Sequence, residues 1–118
     1  MKEEMLKRTK YFAIDVFKNA QNLDRKFNDY RRQLIRSSSS VGANYRAACR
    51  AKSNRDFINK LKIVEEELDE SLYFIELITE LSGHNKLWEK TTTEGTQLLR
   101  IIVKSIITCR LKLHQHQP

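Results

Sequence analysis

The sequence predicts an all-α fold: an antiparallel, up-down four-helix bundle built by residues 1–118 as one domain. Two observations carry that expectation. Apolar residues recur at three- and four-residue intervals along most of the 118 positions, the periodicity of a helix with one buried face. Turn-forming residues are scarce: there are three glycines and one proline, Pro118, so the many corners of a β-sandwich or barrel have nothing to build them. A hydrophobic share of 40% argues against disorder. A mean hydropathy of −0.60, with no apolar run longer than four residues, argues against a membrane span. No charged segment followed by an apolar one opens the chain, and two cysteines are too few for a disulfide framework. A reduced, cytoplasmic setting is expected.

The first helix is expected from Glu3 to Leu23, on the stripe Met5, Phe12, Ala13, Val16, Phe17, Ala20 and Leu23. Asp24 and Asn28 are candidate caps for the next helix. That second helix is expected from Asn28 to Lys52. At about 100° per residue, Phe27, Tyr30, Leu34, Ser37, Val41, Tyr45 and Ala48 collect on one face. Arg25, Arg32, Arg36, Arg46 and Arg50 lie opposite. Between the two faces runs a flank of small groups, Ser38, Gly42 and Cys49. Glycine inside a helix costs about 1 kcal/mol relative to alanine, and close approach by another helix offsets it. Four serines, Ser37 to Ser40, are mediocre helix formers, so a loop there is the competing reading.

Ser53-Asn54-Arg55-Asp56 resembles a capping box with Asp in place of the usual Glu, and starts the third helix. Gly83 stops it after Ser82. Its main face is Phe57, Leu61, Val64, Leu68, Leu72, Ile75 and Ile78. A second apolar group, Ile63, Phe74, Leu77 and Leu81, points elsewhere and suggests an additional contact. The fourth helix is expected from Asn85 to Leu113. Leu87, Leu98, Leu99, Ile102, Val103, Ile106, Ile107 and Leu113 occupy more than half its circumference, so it is either central or at a subunit interface. Thr91-Thr92-Thr93 and Gly95 weaken its first turns, where a break or late start is plausible. His114 to Pro118 are expected to fray.

Charge is unevenly divided. The formal net charge is +7 and the pI about 9.6. Residues 1–62 carry 16 basic and 6 acidic side chains, residues 63–118 carry 6 and 9. Glu65, Glu66, Glu67, Asp69, Glu70, Glu76 and Glu80 succeed one another without an intervening Lys or Arg. Such a chain can present a basic face to a polyanion, or dock its acidic segment on a basic one.

Catalytic and metal chemistry find little support. A carboxylate-bridged metal pair in a helical bundle needs Glu-x-x-His on two helices. None of His84, His114 and His116 has Glu three residues before it. Cys49 and Cys109 have no histidine nearby in sequence to act as base, and small residues at helical spacing are core. The serine run lacks the glycines of a nucleophile elbow or phosphate loop. Trp88, Tyr11, Tyr30, Tyr45 and Tyr73 could stack bases, though aromatics at this spacing are usually core or interface. No enzyme and no cofactor are expected.

One stretch has a specific likeness. Gln33-Leu34-Ile35-Arg36-Ser37-Ser38-Ser39-Ser40-Val41-Gly42-Ala43-Asn44-Tyr45-Arg46-Ala47-Ala48-Cys49-Arg50-Ala51 is followed by Ser53, by Asp56-Phe57-Ile58-Asn59-Lys60-Leu61 and by Glu70-Ser71-Leu72-Tyr73-Phe74. Together these resemble the bacterial four-helix-bundle family encoded by intervening sequences of large-subunit ribosomal RNA genes. The accessory variability determinant protein of diversity-generating retroelements is similar. The resemblance covers Tyr11 to Leu81 well, and the fourth helix in pattern only. It implies a bundle that assembles as a homopentameric barrel, without catalytic residues, and with nucleic-acid binding as the usual suggestion. Ala47 stands where family members commonly carry Glu, which removes a negative charge beside Arg46 and Arg50.

Two functions of different class fit. In the first, Arg25, Arg32, Arg36, Arg46 and Arg50 bind RNA or DNA phosphates, and a ring of subunits multiplies the contact. In the second, the same stripe binds an acidic protein, such as a reverse transcriptase subunit or the Glu65–Glu80 segment of a neighbouring copy.

Overall fold

Four helices run through residues 1–83 and 85–115, the part of the chain that a computed structural model describes. α1 (Lys2–Ala20) buries Met5, Thr9, Phe12, Val16, Asn19 and Ala20, three or four residues apart on one stripe. A 3-10 turn, Arg25–Phe27, leads into α2 (Asn28–Cys49), which buries Leu34, Ser37, Ser38, Val41, Tyr45 and Ala48. α3 (Asn54–Ser82) buries Leu61, Val64, Leu68, Ser71, Ile75 and Ile78. α4 (Lys86–Gln115) contributes Trp88, Leu98, Ile102 and Ile106. Among the described residues there is no strand.

Residue pairs across the seams fix the direction of each helix. Ser37 meets Ser71 and Tyr30 meets Phe74, so α3 runs back along α2. Asn19 donates to Thr91 Oγ1 at 3.0 Å while Arg8 reaches Glu94 and Gln97, so α1 and α4 are antiparallel too. Each helix packs on its neighbours in chain order, and α4 closes the circle on α1 through the slightest of the four seams. The expected up-down bundle is formed, 56 × 23 × 20 Å in extent.

Local chemistry sets the ends. α1 stops at Ala20 rather than Leu23, because Asp24 turns the chain: its carboxylate accepts from Lys26 N at 3.0 Å and starts the 3-10 turn. Asn28 does not cap α2; it ends the 3-10 turn, its N–H donating to Arg25 O, and is the first residue of α2, whose start has no side-chain cap. α2 ends at Cys49, short of Lys52, and Ser53 then caps α3 by accepting from Asp56 N at 3.1 Å. Gly83, at φ 97°, terminates α3. Asn85 supplies a further cap, not expected from the sequence, its Oδ1 accepting from Trp88 N at 2.8 Å.

The helix continues through Ser37–Ser40. Ser71 donates to Glu67 O and its Oγ lies 2.8 Å from Ser37 Oγ, which can donate to it, so both buried hydroxyls are satisfied and the loop reading falls. No break occurs at Thr91–Gly95 either. Thr91, Thr93 and Thr96 return their hydroxyls to carbonyls four residues back, and Gly95 is buried. Nor is α4 central, since Ile107 is 53% and Leu111 59% exposed. His114 and Gln115 remain within α4, while His84 and His116–Pro118 lie outside the described residues.

Gly42 and Gly95 are both packing glycines, with opposite tolerances. A Cβ on Gly42 would rest 3.5 Å from the Thr9 backbone and hydroxyl, an ordinary contact. One on Gly95 would lie 2.9 Å from both Leu72 Cδ2 and Phe12 Cε1. Gly42→Ala should therefore stabilise by about 0.5–1 kcal/mol, whereas Gly42→Leu and Gly95→Ala should each destabilise by about 1–3 kcal/mol. Urea denaturation of the three variants reads both signs; a stabilising Gly95→Ala would show that α4 does not need this approach.

Candidate nucleic-acid interface

The candidate surface is the outer face of α2, and its character follows from the inner one. Leu34, Val41, Tyr45 and Ala48 are buried, so the residues half a helix turn away face water. Arg32, Arg36 and Arg46 are there and Arg50 caps the C-terminus of the helix, all four exposed. Arg25 is exposed as well, but it belongs to the 3-10 turn before the helix. It therefore extends the stripe beyond the N-terminus of α2, which begins at Asn28, and is placed by the turn rather than by the α-helical period.

The five arginines differ in their partners. Arg36 donates to Glu67 at 3.1 Å and also bonds Glu70, two carboxylates of the acidic run on α3. Arg32 pairs with Asp29 one helix turn away. Among the described residues Arg25, Arg46 and Arg50 make no ion pair. The acidic segment thus engages the stripe at one point and leaves its two ends uncompensated. Near the Arg50 end, Lys2, Tyr45, Cys49, Lys52 and Asn54 line an open crevice where three helix ends meet. Burial there, with Cys49 beside it, pushes the Tyr45 phenol up to about 12.

Two arginines outside the expected set are structural. Arg31 crosses to the end of α1, where its guanidinium donates to Ala20 O, to Leu23 O at 2.7 Å and to Asp24 O at 3.1 Å. Ala20 O is the last carbonyl of α1, and Leu23 O and Asp24 O belong to the turn that follows; a cation suits that helix terminus. Its Nε is buried without a partner, which marks how deeply the group is held. Arg8 clamps α1 to α4, donating to Glu94 at 3.0 and 2.7 Å and to Gln97 at 3.2 Å. The Glu94 hydrogen bond raises the Arg8 pKa above its ordinary value. In sequence Arg31 is separable from Arg32 only by its helical angle, since it points to the α1 side rather than outward.

Of the aromatics, Trp88 is core, at 2% exposure, and Tyr45 is buried. Tyr11 and Tyr73 are about half exposed. Tyr30 and Phe74 stack across α2 and α3 with ring centroids 6.1 Å apart. Among the described residues no three His, Cys, Asp or Glu side chains converge on a possible metal position, and no helix is long and apolar enough to cross a membrane. Arg31→Gln should destabilise by about 1–3 kcal/mol, while Arg32→Gln stays within about 0.5 kcal/mol. Equal melting temperatures for the two variants would remove Arg31 from the helix end.

Comparison with known proteins finds a family model and solved structures. A family model described as 23S rRNA-intervening sequence protein matches residues 1–105. A crystal structure at 1.70 Å of a protein with unknown function from the S23 ribosomal protein family of Bacteroides thetaiotaomicron VPI-5482 is 28% identical, with a TM-score of 0.80. The alignment covers 90% of this chain and 98% of that one. No curated protein matches.

Proposed function

The chain belongs to the 23S rRNA-intervening sequence protein family, and from that premise we propose that it is a non-catalytic protein binding nucleic-acid phosphates through the outer face of α2. One observation carries the reading: Arg25, Arg46 and Arg50 are exposed and without an ion pair among the described residues, with Arg32 between them held only by an exposed Asp29. Guanidinium groups match phosphate oxygens with two parallel hydrogen bonds. Contacts of this kind hold the backbone of RNA or DNA and read no sequence. Arg36 contributes less, because Glu67 and Glu70 already compensate it.

The scaffold reading rests on that same Arg36 contact, which is an acidic segment docked on the stripe. Three uncompensated arginines favour the polyanion. Binding should weaken with salt, log K falling by about 0.9 per phosphate neutralised on duplex DNA and 0.7 on single strands. Changing Arg32, Arg36, Arg46 and Arg50 to Gln should lower affinity and flatten the slope, with helicity unchanged. Most of that loss should already appear in Arg46→Gln/Arg50→Gln. Fluorescence anisotropy with labelled RNA and DNA measures this, and an unaltered slope in the four-Gln variant returns the stripe to an acidic protein partner.

Self-association is part of the proposal. Leu99, Val103, Ile107 and Leu111 form an apolar line on α4 beside Arg100 and Lys104, and Ile63 and Leu81 are exposed on α3. Burying such lines between subunits is the ordinary means of assembly; five subunits is the number that the resemblance implies. Light scattering should find an oligomer that Ile107→Glu/Leu111→Glu dissociates, and a monomeric wild type at micromolar concentration would refute the association.

A further inference from the structure

α1 carries a second basic face, unlike that of α2 in composition. Lys7, Tyr11, Ile14 and Lys18 recur at i, i+4, i+7 and i+11, one line along the outside of the helix. Lys10 and Phe17, seven apart, run beside it. The three lysines are exposed, Tyr11 is 51% exposed and Phe17 49%. Three acidic residues border this face: Glu3, one turn before Lys7, Glu4, which is turned to Arg8, and Asp15, one turn from both Tyr11 and Lys18 and toward the crevice with Lys90 and Glu94.

An aromatic at half exposure is unusual on a helix whose own core stripe is complete. Two of them set among three exposed lysines make a surface of flat apolar faces and cations. Bases of a single strand offer the complement, π-faces carried on phosphates, whereas a duplex keeps its bases stacked inside. Position supports the same ligand. α1 packs directly against α2, with Gly42 bringing the two backbones close at Thr9, so this face adjoins the arginine stripe.

We propose that the outer face of α1 is a single-strand site, in which Tyr11 and Phe17 stack unpaired bases while Lys7, Lys10 and Lys18 hold the phosphates between them. The inference deepens the phosphate-binding reading and rests on it. The site confers a preference for single strands, which the α2 arginines do not.

The test uses the full chain, a fluorescein-labelled oligouridylate and an RNA duplex of equal length, by anisotropy at low and high salt. Tyr11→Ala/Phe17→Ala should weaken oligouridylate binding about tenfold or more while leaving duplex affinity and the salt slope in place. Tyr11→Phe/Phe17→Tyr should retain wild-type binding, since stacking survives that exchange. Unchanged oligouridylate affinity in the alanine variant overturns the inference. So does a parallel loss on both probes with a change in sedimentation, which would make the face a contact with a second copy. Duplex binding that depends on Arg46 and Arg50, without preference for the single strand, sinks the α1 site and leaves the α2 reading standing. A wild type that binds neither probe ends both.

Discussion

Close approach of helices through small residues is the constraint on which this bundle depends. Each seam has one. Gly42 lies on Thr9 between α1 and α2, Ser37 meets Ser71 between α2 and α3, and Gly95 admits Phe12 and Leu72 where α4 touches both neighbours. Large apolar groups then interlock above and below these points: Leu34, Val41, Leu61, Leu68, Leu98 and Ile102 are fully buried. Dispersion falls steeply with separation, so the gain from these side chains requires the axes to be held near. Hydroxyls at the seams are tolerated because each finds a partner, Thr9 on Met5 O and Ser71 on Glu67 O, both at 2.8 Å.

A core filled in this way leaves the interior without room for chemistry. Buried polar side chains such as Asn19 with Thr91 and Ser37 with Ser71 are paired with each other, not aimed into a cavity. The charged side chains sit on the outer faces, and the helices divide those between two signs. The α1 and α2 side carries lysine and arginine, and α3 carries Glu66, Asp69, Glu76 and Glu80 toward solvent. Glu67 and Glu70 turn back to Arg36 and join the two halves. Exposed ion pairs of this kind add at most about 1 kcal/mol, so the polarity is not explained by stability.

The helices and their inner faces were legible in the sequence because burial imposes a period that survives in residue type. Ser53 and Gly83 were legible because caps have strong chemical preferences. What the pattern could not hold is any contact that depends on a partner helix. Gly95 reads as a weak helix former, yet the same missing Cβ is what the α4 seam needs. Arg31 and Arg32 are neighbours of one type, and only the end of α1 distinguishes them. The stripe itself was found, but Glu67 and Glu70 lie more than thirty positions from Arg36, and nothing local announces that pairing.

The uneven partners of the five arginines matter more for function than their number. A guanidinium already bonded to two carboxylates must give up those bonds before it meets a phosphate, so its net contribution is the difference of two similar interactions. Arg46 and Arg50 have only water to lose. Ala47, between them in sequence, adds no charge there. The positive charge at the end of α2 is therefore uncompensated, since among the described residues no carboxylate pairs with it. In this chain the stripe is strongest at that end, beside Lys2 and Lys52 and next to the basic face of α1. A polyanion lying across α1 and α2 meets its largest uncompensated charge there.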